Sequence, residues 1–389
     1  MGNEINKIGI DKLELNCVIL ADINYEKLID QGDANLTLSA SQTPLFDGKN
    51  YYKRIFISSQ LDFCDVTITA FSLAVYVSLT FYVSRINQNN LIPLSCEEYS
   101  AYIIEAERQI ESKYGISLDT SAARIKNIEI AGNLITPRPY EEYLSVLRVI
   151  VFSMRKNLRF DSYDNSTFYM KNNSKEIVFY DKTHQMQENK KGDCEAVPLD
   201  VMRFEIRLKG KRNSTIIKNN LGTNLWSELT DEMIYDYYQR FVKNEIMVKF
   251  EKWESGRYEE LKKLYRKIKK SGSKQWPYIL LKTVFNRSKP GVLYILDIAQ
   301  LADAVNDVLR KKKDRNRWRK VRRLYDIVSD GEKYGLKEVE LLNQQNLEKA
   351  DELFKLFDAL CSASIASLND AVGDGENGST STQHLPFLA

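Results

Sequence analysis

Apolar and polar positions alternate with a period of two through much of the first 210 residues. "IGIDKLELNCVIL" (8–20), "YKRIFISS" (52–59) and the uncharged run at 66–84 all read as strands on this basis. After the turn-rich "NQNNLIPLS" the period lengthens, and "CEEYSAYIIEAERQIESKYG" (96–115) reads as a helix with Gly115 as its stop. "IKNIEIAG" (125–132) is again a strand. "RPYEEYLSVLRVIVFSMRKN" (138–157) is a second helix, with Pro139 near its start. Three further strands follow at 166–170, 175–180 and 201–209. The "KNNS" between the first two suits a hairpin turn, because Asn tolerates left-handed backbone angles.

From about residue 213 the pattern turns helical, beginning with "TDEMIYDYYQRFVKNEIMVKFEKW" behind a Thr cap. The expected fold class is therefore α+β. An N-terminal domain (1–210) carries an antiparallel sheet with helices to one side. A mostly helical, basic domain (211–369) and a disordered tail (370–389) follow it. The uncharged run at 66–84 is about the length of a membrane span. It holds three Ser, three Thr and only two Leu, which suits strands crossing a core better than a lipid-facing helix.

Composition narrows the chemistry. With 43% hydrophobic and 28% charged residues, a 389-residue chain suits a water-soluble protein of two ordinary domains, or of one large domain with an appendage. Five cysteines without a C-x-x-C pair argue against a disulfide framework or a zinc site, and for a reducing cytoplasm. The first residues show no basic-then-apolar pattern, so no signal peptide is expected. Only two histidines exist, so a histidine cluster is excluded; a bound metal would need oxygen ligands and would be Mg²⁺ or Mn²⁺. The absence of a Walker A loop, a Rossmann glycine motif and a zinc finger removes support for ATP-driven and dinucleotide chemistry.

Two strands hold the groups that matter. In 201–209, Met202, Phe204, Ile206 and Leu208 form one face, and Arg203, Glu205, Arg207 and Lys209 the other. In "KEIVFYDK", Ile177 and Phe179 oppose Glu176, Val178, Tyr180 and Lys182. Tyr169 and Lys171, on the neighbouring strand, can share the same polar face. A plain solvated sheet face explains such alternation too. The sharper reading is nucleophilic chemistry: nearby cations stabilise a phenolate, and its attack on a phosphodiester gives a phosphotyrosine ester that keeps the bond energy for resealing. Glu129 and Glu205 are the best-placed acids for a divalent ion, and Arg203 and Arg207 suit phosphate oxygens.

A second signal is basic. Ten Lys or Arg crowd residues 310–323 around Trp318, against the single acid Asp314. Arg315, Arg317, Arg319, Lys320, Arg322 and Arg323 make this segment a phosphate-seeking surface, in contrast with an ordinary solvated charge run.

The order of these segments resembles the rolling-circle replication initiators of the filamentous-phage gene II/gene X type and, more loosely, the plasmid Rep-trans initiators. The resemblance spans roughly 8–210. It rests on the opening strand "IDKLELN", "SLTFYVSRINQNNLIP", the acid-bearing strand "ARIKNIEIAGN", the Y-x-K strand "FYDKTHQ", and "MRFEIRLK". It implies a Rep-type (HUH-like) nuclease architecture and a metal-dependent nickase that starts rolling-circle replication of a plasmid or phage. Tyr180 would be the nucleophile beside Lys182, with Tyr169 the second choice. Glu129 and Glu205 would help bind the metal, and Arg203, Arg207 and Lys171 would meet DNA. Partners would be origin DNA, double- and single-stranded, and the host helicase and polymerase. The helical half could form a homodimer through its apolar stripes, and no membrane is involved. A conjugative relaxase and a non-enzymatic origin-binding initiator are the alternatives. The second of these leaves Tyr180 as a packing residue.

Overall fold

The computed structural model describes residues 7–19, 43–44, 51–52, 55–71, 74–86, 91–154, 159–163, 167–189, 200–210, 215–286, 298–329 and 344–374. Nine strands form one antiparallel sheet: β1 (Ile8–Ile19), β2 (Ile55–Gln60), β3 (Cys64–Phe71), β4 (Ala74–Tyr82), β5 (Leu118–Ile135), β6 (Arg159–Tyr163), β7 (Thr167–Lys171), β8 (Lys175–Asp181) and β9 (Val201–Lys209). Their spatial order is β2-β3-β4-β1-β5-β9-β8-β7-β6, so the first strand lies near the centre between β4 and β5. The main helices are α1 (Cys96–Tyr114), α2 (Leu144–Ser153), α3 (Lys182–Asn189), α4 (Thr215–Leu221), α5 (Asp231–Phe241), α6 (Val248–Lys270), α7 (Trp276–Asn286), α8 (Ile298–Lys311), α9 (Arg317–Ser329) and α10 (Gln344–Asp374). The fold is α+β, as the periodicity predicts.

Period-two alternation gives the sheet one apolar face. Leu13 and Leu15 of β1, Ile128 and Ile130 of β5, Phe204 and Ile206 of β9, and Ile177 and Phe179 of β8 are all buried in it. Phe204 is its hub. Its ring stacks on Phe179 at 4.5 Å and meets Tyr238 of α5 and Phe357 of α10 edge-on, each at 5.5 Å. Each such aromatic side chain contributes about 2–3 kcal/mol by leaving water. Gly132 of β5 makes room for this layer, because a Cβ there would lie 2.4 Å from the Tyr238 hydroxyl. The run at 66–84 supplies β3 and β4, with Val66, Ile68, Val77, Leu79 and Phe81 inward. Among the described residues no helix is long and apolar enough to cross a membrane.

α1 starts where Ser95 accepts from the Glu98 amide and the Glu98 carboxylate accepts from the Ser95 amide, a reciprocal cap. It stops at Gly115, whose φ of 65° suits a residue without a Cβ. The second helix departs from expectation: Pro139 leads into a 3-10 turn at Tyr140–Tyr143, and α2 ends at Ser153. The hairpin between β7 and β8 does not use left-handed Asn. Its Asn172 carboxamide oxygen instead accepts from the backbone amides of Ser174 and Lys175, at 2.9 and 2.8 Å. β6 lies outside the strands that the alternation predicts.

Among the described residues the compositional change at about 210 marks the end of the strands but not of the core. Ile234, Tyr238 and Phe241 of α5, Phe250 of α6, and Leu353, Phe357 and Leu360 of α10 are buried against the sheet. A second core forms elsewhere. Leu261, Leu264 and Tyr265 of α6 pack with Leu280 and Leu281 of α7, Leu301, Val305 and Leu309 of α8, and Val321, Leu324 and Ile327 of α9. An amphipathic stripe shows that a helix packs but not what it packs against, so the helical region divides between two cores. α10 continues to Asp374, into the segment expected to be a disordered tail, and residues 375–389 lie outside the described residues.

Candidate active site on the polar sheet face

The second face of the sheet is built by strand register. One row runs across five strands: Lys12 of β1 opposite Glu129 of β5, then Arg207 of β9, Glu176 of β8 and Lys171 of β7. Charge alternates along it, and cross-strand neighbours lie close enough for each to pair with the next. Arg207 Nε lies 3.2 Å from Glu129, its Nη1 4.0 Å from Glu176, and Lys209 Nζ 2.5 Å from Glu176. The next row brings Glu205 opposite Val178, and Val178 opposite Tyr169. The row after that puts Tyr180 opposite Arg203, and Arg203 opposite Asn133.

β1 adds a residue that alternation alone does not reveal. The register slips between Ile10 and Lys12, leaving Asp11 unpaired in the ladder. This bulge lets Asp11 share the polar side with Lys12. Carboxylate oxygens of Asp11, Glu129 and Glu205 lie within 4.8 Å of one another. Burial raises the Asp11 carboxyl above its usual range, despite the pull of Arg203, and pushes Glu129 up to about 7 against the pull of Arg207. Burial acts on Glu205 in the same sense, but Arg207, Arg203 and the Tyr180 hydroxyl outweigh it and hold that carboxyl low. Two guanidinium groups, Arg203 and Arg207, serve these three carboxylates. Three hard oxygen donors so close together are of the kind that fits Mg²⁺ or Mn²⁺.

One end of this face is capped. Leu91, Met186 of α3 and Val201 form a small cluster over it. Beneath lies Arg203, fully buried, donating to Asn133 Oδ1 at 2.8 Å, Asp11 Oδ1 at 2.6 Å and the Leu91 carbonyl. A guanidinium enclosed in this way does not reach a DNA backbone, so Arg203 is a strut holding Asp11 and not the phosphate grip expected of it. Tyr180 is 7% exposed and donates to Glu205 Oε1 at 2.5 Å. Burial, with Glu205 next, drives its hydroxyl well above its usual range, the reverse of a cation-stabilised phenolate. Lys182 begins α3, fully buried, with its ammonium 5.7 Å from the Tyr180 ring centre. Burial, then repulsion from Arg203, lowers it to about 7.

The other end is open. A groove of about 560 Å³ is lined by Lys12, Asn127, Glu129, Tyr169, Lys171, Glu176, Arg207, Leu208 and Lys209. Tyr169 stands in it half-buried. Its hydroxyl accepts from Arg207 Nη1 at 2.6 Å and donates to Glu176 Oε2 at 3.2 Å. Burial pushes it up to about 12, with Arg207 pulling the other way. Lys171 lies 5.6 Å from its ring centre. Arg207 also holds Glu205 Oε2 at 2.5 Å, so one guanidinium connects Tyr169 to the acidic trio. Of the residues singled out from sequence, Tyr169, Lys171, Glu129 and Arg207 line this groove, and Glu205, buried, lies behind them against Arg207. Sequence reasoning does not single out Glu176 or Asp11 as functional groups. Glu176 is legible as a same-face neighbour of Tyr180, whereas Asp11 is hidden by its bulge.

The remaining sequence-derived cations lie in the second core's helices. Arg315, Arg319, Arg322 and Arg323 are exposed, Arg317 packs 5.2 Å from the Trp318 ring centre, and Lys320 pairs with Asp314 at 2.6 Å.

No family model matches this sequence, and no curated protein matches it. Among solved structures, Methanococcus jannaschii TBP aligns with 59% of this chain and 99% of its own, at 11% identity and a TM-score of 0.29, a likeness too slight to carry an argument.

Proposed function

We propose that the protein is a metal-dependent DNA nicking and closing enzyme that starts rolling-circle replication of a plasmid or phage, with Tyr169 as its nucleophile. The observation that carries this reading is that Arg207, in the wall of the open groove, joins the Tyr169 hydroxyl to Glu129 and Glu205, whose carboxylates cluster with that of Asp11. Tyr180 shares the face but is enclosed, so access favours Tyr169 of the two candidates.

The side chains suggest the following chemistry. Lys12, Lys171 and Lys209 draw the phosphodiester backbone of a single strand into the groove. Tyr169 passes its proton to Glu176, the carboxylate that already accepts from it. Arg207 stabilises the phenolate as it forms. The phenolate oxygen bonds to phosphorus, the bond from phosphorus to the 3′ oxygen breaks with its electron pair, and that oxygen takes a proton from water. A 5′-phosphotyrosine and a free 3′ hydroxyl result, the latter ready for a host polymerase. Attack by a 3′ hydroxyl reverses the step and reseals the strand without ATP. Asp11, Glu129 and Glu205 would hold Mg²⁺ or Mn²⁺, which would supply charge stabilisation at the phosphate. Arg203 and Lys182 act from behind the site by fixing Asp11 and Tyr180.

The test uses supercoiled DNA carrying the element's own origin, with Mn²⁺, and a denaturing gel for the covalent product. Tyr169→Phe is expected to abolish the adduct and Tyr180→Phe to retain it. Retention by Tyr169→Phe with loss by Tyr180→Phe would return the nucleophile's role to Tyr180. If wild type binds the origin but forms no adduct, the enzyme reading falls and a non-catalytic origin-binding initiator survives.

A further inference from the structure

We propose that α8 and α9 form a helix-turn-helix whose second helix reads the major groove of duplex DNA, a site separate from the groove on the sheet. The inference rests on the reading of the protein as one that acts on DNA.

The first support is the packing. α8 and α9 are joined by residues 312–316, and within that link Lys313 takes a φ of 51°, reversing the chain tightly between the two helices. Val321, Leu324 and Ile327 seat α9 on the second core with residues of α7 and α8. Their spacing of three commits one side of α9 inward and leaves the other to solvent. That outer side carries Trp318, Arg319, Arg322, Arg323 and Tyr325, with Arg315 in the link just before it, all exposed.

The second support is charge. Asp314, the acid within the basic run, is occupied by Lys320 at 2.6 Å and Lys269 at 3.6 Å. Among the described residues no carboxylate pairs with Arg315, Arg319, Arg322 or Arg323. Arg319, Arg322 and Arg323 of α9 and Arg315 just before it crowd positive charge on one side, where Asp326 is the acid among the exposed residues of the helix; this excess repels itself, and a polyanion relieves that cost.

The third support is shape and polarity. Trp318 is 64% exposed and Tyr325 41%, large rings that a merely solvated basic face has no reason to present. An α-helix about 10–12 Å across fits the major groove, about 12 Å wide, where arginine pairs with guanine edges and apolar groups meet thymine methyls. A convex helix offers no cleft to enclose unstacked bases, so duplex DNA suits this surface better than a single strand.

The experiment compares the full-length protein with a variant combining Arg315→Ala, Arg319→Ala, Arg322→Ala and Arg323→Ala, all exposed positions whose loss leaves the core intact. Fluorescence anisotropy would be read on a mixed-sequence duplex of about 20 base pairs and on its separated single strand. The variant is expected to bind the duplex at least about 100-fold more weakly at physiological salt. The slope of log affinity against log salt should fall by roughly three to four. Dimethyl sulfate methylation of guanine N7 should block binding of the wild type. Formation of the tyrosine adduct on a single-stranded oligonucleotide should be unchanged. Unchanged duplex affinity, an equal loss on the single strand, or insensitivity to N7 methylation would each overturn the inference. Absence of adduct in both proteins would count against the nicking reading alone, because the duplex titration still decides this one.

Discussion

Arg207 meets Tyr169, Glu129 and Glu205 with a single planar fork, and that geometry makes a sharp mutational case. A lysine at 207 keeps the charge but can place only one ammonium, so it cannot hold Tyr169 and both acids together. On the proposed nicking function, Arg207→Lys is expected to lower single-turnover cleavage by about 100-fold while leaving DNA affinity within a few fold; equal rates would remove Arg207 from that chemistry. Arg203 makes the opposite case, for stability. Its truncation to alanine leaves Asp11 and Asn133 without their buried partner and should cost about 3–5 kcal/mol in urea unfolding. Glu129 gives a pH signature. Its folded-state value, about 7, lies above the ordinary 4.5, so the folded protein holds the proton more tightly than the unfolded chain. The stability linked to Glu129 is complete below about pH 4.5 and is lost as pH rises through 7. In chelator-treated protein, Glu129→Gln should therefore flatten the decline of unfolding free energy between pH 5 and 7, and a parallel decline in both proteins would contradict the assignment.

At the scale of elements, the bulge in β1 brings the third carboxylate to the site, and the same segment is pinned from outside. Ile10 and Leu94 exchange backbone hydrogen bonds at 2.8 and 3.0 Å, which requires Gly9 next to them to lack a side chain, because a Cβ would lie 2.7 Å from the Leu94 carbonyl oxygen. Gly9→Val should force the two segments apart and disturb Asp11. If the acidic trio holds a metal as proposed, the expected outcome is weaker Mn²⁺ binding by calorimetry, about tenfold, with far-ultraviolet dichroism retained; unaltered Mn²⁺ affinity would show that the bulge does not support the site. The reciprocal cap on α1 is local by comparison, and Ser95→Ala should cost only about 1 kcal/mol.

Across the whole molecule, two cores predict two unfolding events. The sheet with α1, α2, α5 and α10 shares one core, and α7, α8, α9 and the later part of α6 share the other. Differential scanning calorimetry should resolve two transitions, and Phe357→Ala should lower only the one belonging to the sheet, by about 3–5 kcal/mol. A single transition shifted as a unit would show that the cores unfold together.

Period-two alternation is a local property, so the strands other than β6, and the apolar and polar faces of β8 and β9 with their tyrosines and charged groups, are legible in the sequence by itself. The cap and stop of α1 are equally local. Three matters needed the tertiary structure. Strand order decided that Lys12, Glu129, Arg207, Glu176 and Lys171 form one row, because register joins residues far apart in the chain. The bulge placed Asp11, since one extra residue breaks the very alternation used to assign faces. Burial separated Tyr169 from Tyr180 and Arg207 from Arg203. Residues of the same type on the same face differ only in what covers them, and the α3 cap over one end of the sheet is a long-range contact that no periodicity records.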